Sequence, residues 1–421
     1  MGLADDSHAR ALDAADPLRR FRERFLLPRG ADGRPLIYFT GNSLGLQPDD
    51  VRLIIGQELH AWAEHAVEAH FRGLRPWYSY HENLREPGAR LIGARPHEVV
   101  WMNSLTVNLH LCMVSFFRPR GERTAIVIED CAFPSDIYAV RTQLAWHGLD
   151  PAEHLIVLRP RPGEHTLRTE DIEALLEREG RRVALLLLPG VNYFTGQVFD
   201  IARITAAAHR HGCLIGWDLA HAAGNIELSL HDWGADFAAW CSYKYLNAGP
   251  GAVAGCFIHE RHARDVSLPR FGGWWGNDPK TRFRMHLEPE FHPVASADAW
   301  QLSNPPILAM APLVASLALF DEAGMPALRA KSRKLTGYLL ALLDAMPSER
   351  YEVITPRDEE SRGCQLSIRV RKSPRGLFDE LEAAGVVCDF REPDVIRVAP
   401  VPLYNTYEEV WAFARILAQR K

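Results

Sequence analysis

Apolar and polar positions along the chain follow two alternating periods. Runs that are apolar at nearly every position recur at residues 124–128, 154–158, 183–188, 213–217 and 236–242. Their lengths and polar boundaries predict strands buried on both faces. Between them, stretches with helical spacing occupy 107–117, 137–147, 169–178 and 201–211. Strand and helix in alternation predict an α/β fold with a mainly parallel sheet and right-handed crossovers. A strand at 252–258 closes this unit. Upstream, a polar lead and short helix fill 1–28, a short strand is expected at 36–39, and helical periodicity returns at 51–67. Downstream, a polar, proline-rich stop at 303–306 precedes an apolar helix at 307–320. Helix 335–346, strand 365–370, helix 377–384, strand 396–399 and a last helix at 407–417 read as a smaller α+β domain. The expected organisation is an N-terminal segment, 1–50, packing with the small domain, a large α/β domain over 51–305, and the small α+β domain over 306–421. No internal repeat or low-complexity linker interrupts it.

Composition narrows the functional classes. The 421 residues include 48 basic and 53 acidic side chains, interspersed, for a net charge of −5. No basic block suggests nucleic acid or an anionic membrane as a partner. The seven cysteines are odd in number and form no Cys-x-x-Cys pair. They read as buried thiols in a reducing compartment, so neither disulfides nor a metal site is expected. Residues 1–17 lack the apolar core of a signal peptide. The apolar run at 307–320 contains Pro312 and is too short to span a bilayer. A soluble cytoplasmic protein is the expectation.

The chemistry concentrates in residues 213–251. The strand at 213–217 ends on Asp218, and a carboxylate there is costly unless a cation or a donor meets it. His221 follows three residues on. The strand at 236–242 delivers Tyr243 and Lys244, and a Gly/Asn/Pro turn comes next. A carboxylate and a lysine at the ends of neighbouring strands suit pyridoxal phosphate. The carboxylate keeps the pyridine nitrogen protonated, and the lysine carries the cofactor as a Schiff base. Taken alone, these residues fit a structural Asp and a surface Lys about as well. Ser104 and Thr106 offer N-caps to the helix at 107–117, whose N-terminus can also hold a phosphate. The strand at 124–128 runs through Phe133, Pro134, Ser135 and Asp136 into the next helix, beyond a strand carboxyl end where α/β sites form. Phe133 is placed to stack on a pyridine ring, and Asp136 serves equally as a helix cap.

The segments GWDLAHAAGN, HDWGADFAAWCSYKYLNAGPG and QLSNPPIL together resemble the kynureninase family, which are fold-type-I pyridoxal phosphate enzymes of the aminotransferase class V-like superfamily. GNSLGLQP, NSLTVNLHL, AFPSD, FTGQVFDI, RGCQLSI and IRVAPVPLYN extend the resemblance in one order from residue 41 to residue 405. The Asp-His-Lys part alone would fit many aminotransferase-like enzymes; SNPPIL and RVAPVPLYN are more specific. The resemblance implies pyridoxal 5′-phosphate on Lys244, with Leu105, Thr106, Phe133, Pro134, Ser135, Asp136, Asp218, His221, Tyr243, Trp274 and Asn304 contacting it. It implies Ser43, His70, Asn304 and Arg397 as substrate contacts, His70 near the aryl end and Arg397 on the α-carboxylate, whose two oxygens its fork matches. It makes Trp274 reach across the interface of a homodimer. The family pattern includes a hydroxyl residue at the position of Pro189. Proline has neither hydroxyl nor N–H, so Pro189 is left out of the site.

The implied reaction is hydrolysis of the Cβ–Cγ bond of L-kynurenine to anthranilate and L-alanine, with Lys244, Tyr243 and Asp218 as the catalytic groups. Its place is tryptophan breakdown or nicotinamide cofactor synthesis. His70 and Asn304 as a pair resemble the animal-type enzymes that accept 3-hydroxykynurenine. Two other readings stand beside this one: a cysteine desulfurase-like or aminotransferase activity on the same fold, and a non-catalytic relative. A desulfurase needs a cysteine on a mobile loop, whereas Cys364 reads as a strand start.

Overall fold

A computed structural model describes residues 5–347 and 349–419; the first four residues of the polar lead lie outside them. The large sheet has seven strands: β1 (Val99–Trp101), β2 (Ala125–Glu129), β3 (Leu155–Leu158), β4 (Val183–Pro189), β5 (Leu214–Asp218), β6 (Phe237–Trp240) and β7 (Gly255–Ile258). Their order across the sheet is β1-β7-β6-β5-β4-β2-β3. Strands β2 to β6 run parallel, and β7 is antiparallel to both of its neighbours. The α/β class expected from the apolar runs is the one found. Strand β1, three residues long, carries too little pattern to be seen in sequence.

The apolar runs are continuous because both faces of the sheet are covered. Val127, Leu186, Leu188, Ile215 and Trp217 pack into a core on one side. Ile126, Ile128, Leu185, Leu187 and Phe237 pack into a core on the other. Each such burial contributes about 1.5–3 kcal/mol. The register sets Pro189, Asp218 and Ala239 abreast at the carboxyl ends of β4, β5 and β6. Near the opposite edge, buried Asp236 accepts from the Ile215 N–H at 2.8 Å. His209, His262 and Arg261 also meet its oxygens, and these partners hold its carboxyl well below the usual range despite burial.

The smaller sheet is antiparallel, in the order Tyr351–Val353, Leu366–Val370, Val395–Val398, Asp389–Arg391. Its core is filled by Leu335, Leu339, Leu366, Ile368, Val410 and Phe413. The helix Met325–Asp344 begins ten residues before the expected 335, because Arg329 and Lys331 are buried where the pattern calls for apolar residues. Lys331 is met there by Asp16 at 2.7 Å. The preceding helix, Ile307–Ala323, sends Met310, Leu313, Leu317 and Phe320 into the large core. The two helices meet at a 79° bend. The large core continues past this bend and takes in Leu328, Cys364 and Tyr404. The N-terminal segment touches both bodies: Ile37–Tyr38 pairs with Val386–Val387, while Phe21 and Phe25 enter the large core. No single helix among the described residues is long and apolar enough to cross a membrane.

Gly216, in the middle of β5, faces the Phe237 ring so closely that a Cβ would lie 2.0 Å from Cζ. Gly216→Ala is expected to destabilise the fold by roughly 1–3 kcal/mol, the usual cost of overpacking. Urea unfolding measures this, and an unchanged midpoint would contradict the close packing.

Candidate active site

The carboxyl ends of β2, β4 and β5 and the segment after β6 enclose a cavity of about 160 Å³. Leu105, Thr106, Phe133, Asp136, Asp218, His221, Tyr243 and Lys244 line it, as do Glu129, Pro189 and Tyr193. Pro189, excluded for want of a hydroxyl, thus still forms part of the wall. Lys244 is fixed by its flanks. Ser242 Oγ donates to the Val253 carbonyl at 2.6 Å. Asn247 adopts a left-handed φ of 58°, and its N–H donates to the Lys244 carbonyl at 2.9 Å. The loop bearing Ser43 lies directly on this segment: the Gly45 N–H donates to the Tyr243 carbonyl at 2.8 Å. A Cβ at Gly45 would come within 2.3 Å of the Lys244 carbonyl oxygen, so only glycine permits that approach.

Within the cavity, Lys244 Nζ lies 3.1 Å from His221 Nε2 and 5.7 Å from the centroid of Phe133. Burial, reinforced by the Lys244 charge, pushes His221 well below its ordinary pKa, so the ring is neutral. Burial raises the Tyr243 phenol, which keeps its proton at neutral pH. Three carboxyls share the cavity, and no Arg or His bonds any of them. Asp218 accepts from the Ala220 N–H at 2.7 Å. Asp136, buried beside it, has an Oδ1 with no hydrogen-bond partner, and burial plus the Asp218 charge push its pKa well up. Burial pushes Glu129 up to about 8, with the Asp218 charge adding to it.

Two helix N-termini open onto the cavity. Helix α1 (Leu105–Phe116) and helix α2 (Pro134–Trp146) begin at the cavity. Both start earlier than the periodicity predicts, because Leu105, Thr106, Pro134 and Ser135 already wind into the first turns. Ser104 stands at the N-cap position of α1 but its hydroxyl makes no cap bond, and Asp136 lies inside the first turn of α2 instead of capping it. Thr106 Oγ1 and Ser135 Oγ, 2.9 Å apart, join the two ends. Free N–H groups and both helix dipoles are left for an anion. An acid pair with one buried oxygen lacking a partner, a lysine and a double anion site match the ring cation, aldehyde and phosphate of pyridoxal phosphate, so the residues present fit that group.

The expected substrate residues fall into two places. Arg397, buried on the small domain, lies with its guanidinium 5.6 Å from the Tyr193 ring. It donates to the Tyr193 carbonyl and pairs with Asp389, and burial lowers its pKa to about 10. Ser43 is exposed on the loop over Lys244. His70, Trp274 and Asn304 are not among the cavity's lining residues. His70 packs edge-on to Trp77 at 5.5 Å, and Trp274 contacts Trp275 at 5.1 Å and Phe283 at 6.2 Å. Phe71 links these groups, 6.1 Å from Phe283. Asn304 is exposed just beyond Leu302, whose carbonyl accepts from the Trp275 N–H. Sequence reasoning missed Glu129, Tyr193 and Asp389. Only the position of Glu129 at a strand carboxyl end was a usable signal.

The fold is shared with known proteins. The cysteine desulfurase CsdA of Escherichia coli superposes with a TM-score of 0.76 at 18% identity, covering 96% of this chain and 98% of that one. The cystine C-S lyase C-DES gives 0.73 at 18% identity, covering 90% and 97%. This fold, with its lysine and acid pair below two helix N-termini, defines the fold-type-I class of pyridoxal phosphate enzymes. Residues 328–417 match the kynureninase C-terminal domain. A kynureninase of Koribacter versatilis is 58% identical over 97% of this chain and 96% of its own length. One of Myxococcus xanthus is 57% identical over 98% and 96%. The chain belongs to the kynureninase family. The desulfurase-like reading also loses its nucleophile: Cys364 is fully buried, its N–H donates to Asn225, and burial pushes its thiol up to about 12.

Folded Asp136 and Glu129 bind protons more tightly than in the unfolded chain, where their ordinary values are 3.8 and 4.5. Their contribution to the stability of the cofactor-free protein is therefore full below those values. It is lost as pH rises through the raised ones, a window that for Glu129 ends near 8. Glu129→Gln is expected to flatten the decline between pH 4 and 8 by on the order of 4 kcal/mol, and Asp136→Asn to flatten it in the same direction. Urea unfolding across that range checks it; unchanged slopes in both variants would contradict the carboxyl cluster.

Proposed function

We propose that the protein hydrolyses L-kynurenine at Cβ–Cγ, consuming one water and releasing anthranilate and L-alanine, with pyridoxal 5′-phosphate held on Lys244. The observation that carries this reading is the lysine held over an acid pair in a chain that matches kynureninases over nearly its whole length. When bound, pyridoxal phosphate supplies an electron sink for bond changes at the substrate's Cα and Cβ. Asp218 and Asp136 would hold a proton at its ring nitrogen, and the α1 and α2 N-termini with Thr106 and Ser135 would hold its phosphate. Phe133 and His221 wall the ring. Lys244, once its amine is free, takes the proton from the substrate Cα. Tyr243, protonated at neutral pH, is positioned to give a proton to the Cβ that becomes the alanine methyl. Arg397 orients the α-carboxylate, and Ser43 flanks the substrate.

His70, Trp274 and Asn304 are assigned to the site of a second copy in a homodimer. Supporting this is their place outside the chain's own cavity in an exposed aromatic group, where Phe71 is 58% and Phe283 57% accessible. His70 and Asn304 there favour the 3-hydroxylated aryl ring.

Lys244→Ala is expected to abolish anthranilate formation, by at least about 10³-fold, while the protein stays folded. Retained activity would sink the assignment. Mixed dimers of Lys244→Ala and His70→Ala chains should exceed the activity of either variant alone, since one of their two sites is complete; no gain on mixing would overturn the shared site. The ratio of kcat/KM for 3-hydroxykynurenine to that for kynurenine tests the preference. A roughly tenfold advantage for kynurenine, about 1.4 kcal/mol, would refute it.

A further inference from the structure

One turn joins the lysine-bearing domain to the arginine-bearing one. From the small domain, Arg397 and Gln365 donate to the Tyr193 carbonyl, the latter at 2.9 Å. Ser367 Oγ donates to the Phe194 carbonyl, and Thr355 Oγ1 to the Thr195 carbonyl at 2.6 Å. Three successive carbonyls are thus taken by small-domain donors. From the large domain, the Phe133 ring packs on Tyr193 at 5.3 Å, and the Asn192 side chain holds the turn's N–H groups. Asn192 Oδ1 accepts from the Phe194 N–H at 2.9 Å, the Thr195 N–H at 2.7 Å and Thr195 Oγ1 at 3.0 Å. The orientation of that amide is set by its other end: Asn192 Nδ2 donates to Glu129 Oε1 at 2.7 Å and to the Cys131 carbonyl at 3.2 Å.

We propose that Glu129 is a positioning residue for the substrate carboxylate: through Asn192 it fixes the turn at 193–195, and the turn's Tyr193 carbonyl fixes Arg397. This rests on the reading that Arg397 binds that carboxylate. Glu129 sits at the carboxyl end of β2, only 4% exposed, and lines the cavity without reaching Arg397 itself. Its chemistry suits the task. Burial and the Asp218 charge keep it a neutral acid near pH 7, so its Oε1 acts as a plain acceptor that a glutamine amide oxygen can replace.

The test uses the pyridoxal-phosphate-loaded enzyme and three variants: Glu129→Leu, which fills the volume without an acceptor, Glu129→Gln, and Arg397→Lys. The readouts are kcat and KM for L-kynurenine, the dissociation constant of L-alanine from the change in cofactor absorbance, and cofactor affinity. Glu129→Leu is expected to raise KM and the L-alanine constant about tenfold, the worth of one buried hydrogen bond. Because Glu129 also lines the cofactor cavity, cofactor affinity is read in the same variants and the L-alanine constant is taken at saturating cofactor, while Glu129→Gln restores wild-type constants. Should Glu129→Leu not fold, Glu129→Ala is read by the same criteria. Unchanged L-alanine affinity in Glu129→Leu, or a Glu129→Gln as impaired as Glu129→Leu, would overturn the proposal. Arg397→Lys separates the two levels. If it weakens L-alanine while Glu129→Leu does not, the positioning role alone falls. If neither variant does, the carboxylate reading falls with it.

Discussion

The site depends on one electrostatic constraint: three acids crowded into one cavity, where burial and the Asp218 charge raise the proton affinity of the other two. A buried carboxylate is tolerated when donors and cations surround it. The molecule shows both solutions to this problem around the same sheet. Asp236 is matched by an arginine, two histidines and a backbone N–H, and is settled. Asp136, Asp218 and Glu129 face one lysine and each other, and Asp136 keeps an oxygen without a partner. The first arrangement belongs to a structural carboxylate. The second is complete only with a further cation, and the ring nitrogen of pyridoxal phosphate is one of the right shape.

Most of the fold was legible because a doubly covered parallel sheet writes itself plainly. Where both faces of a strand meet helices, as at Leu185–Leu188, no polar residue interrupts the run. The errors fell where charge is buried against expectation. Arg329 and Lys331 hid the first turns of a long helix, and hydrophobicity alone does not say which core the apolar helix before it enters. At the site, the resemblance supplied residues that composition could not. The cavity brings together eight of them, from Leu105 to Lys244. Glu129, Asn192 and Tyr193 escaped because their roles depend on contacts between distant segments, and a hydrogen bond from Asn192 to Glu129 spans 63 positions of sequence.

The parts of the site differ in what holds them. Lys244 and Asp218 stand on strand ends of the large sheet, fixed by backbone pairing and close contacts such as that at Gly45. Arg397 stands on the other sheet and reaches the cavity's neighbourhood through Tyr193. The distance between Lys244 and Arg397 is therefore set by how the two domains meet.

The bare N-terminus of α1 has a consequence beyond the binding of an anion. A helix that forgoes its serine cap gives up about 1 kcal/mol, and whatever ligand occupies the spot returns that and more by mass action. The supply of vitamin-derived cofactor in the cell would then act on the lifetime of the polypeptide as well as on its turnover. Chains starved of it would be the first presented to proteases, so enzyme abundance would track nutrition without any dedicated regulator.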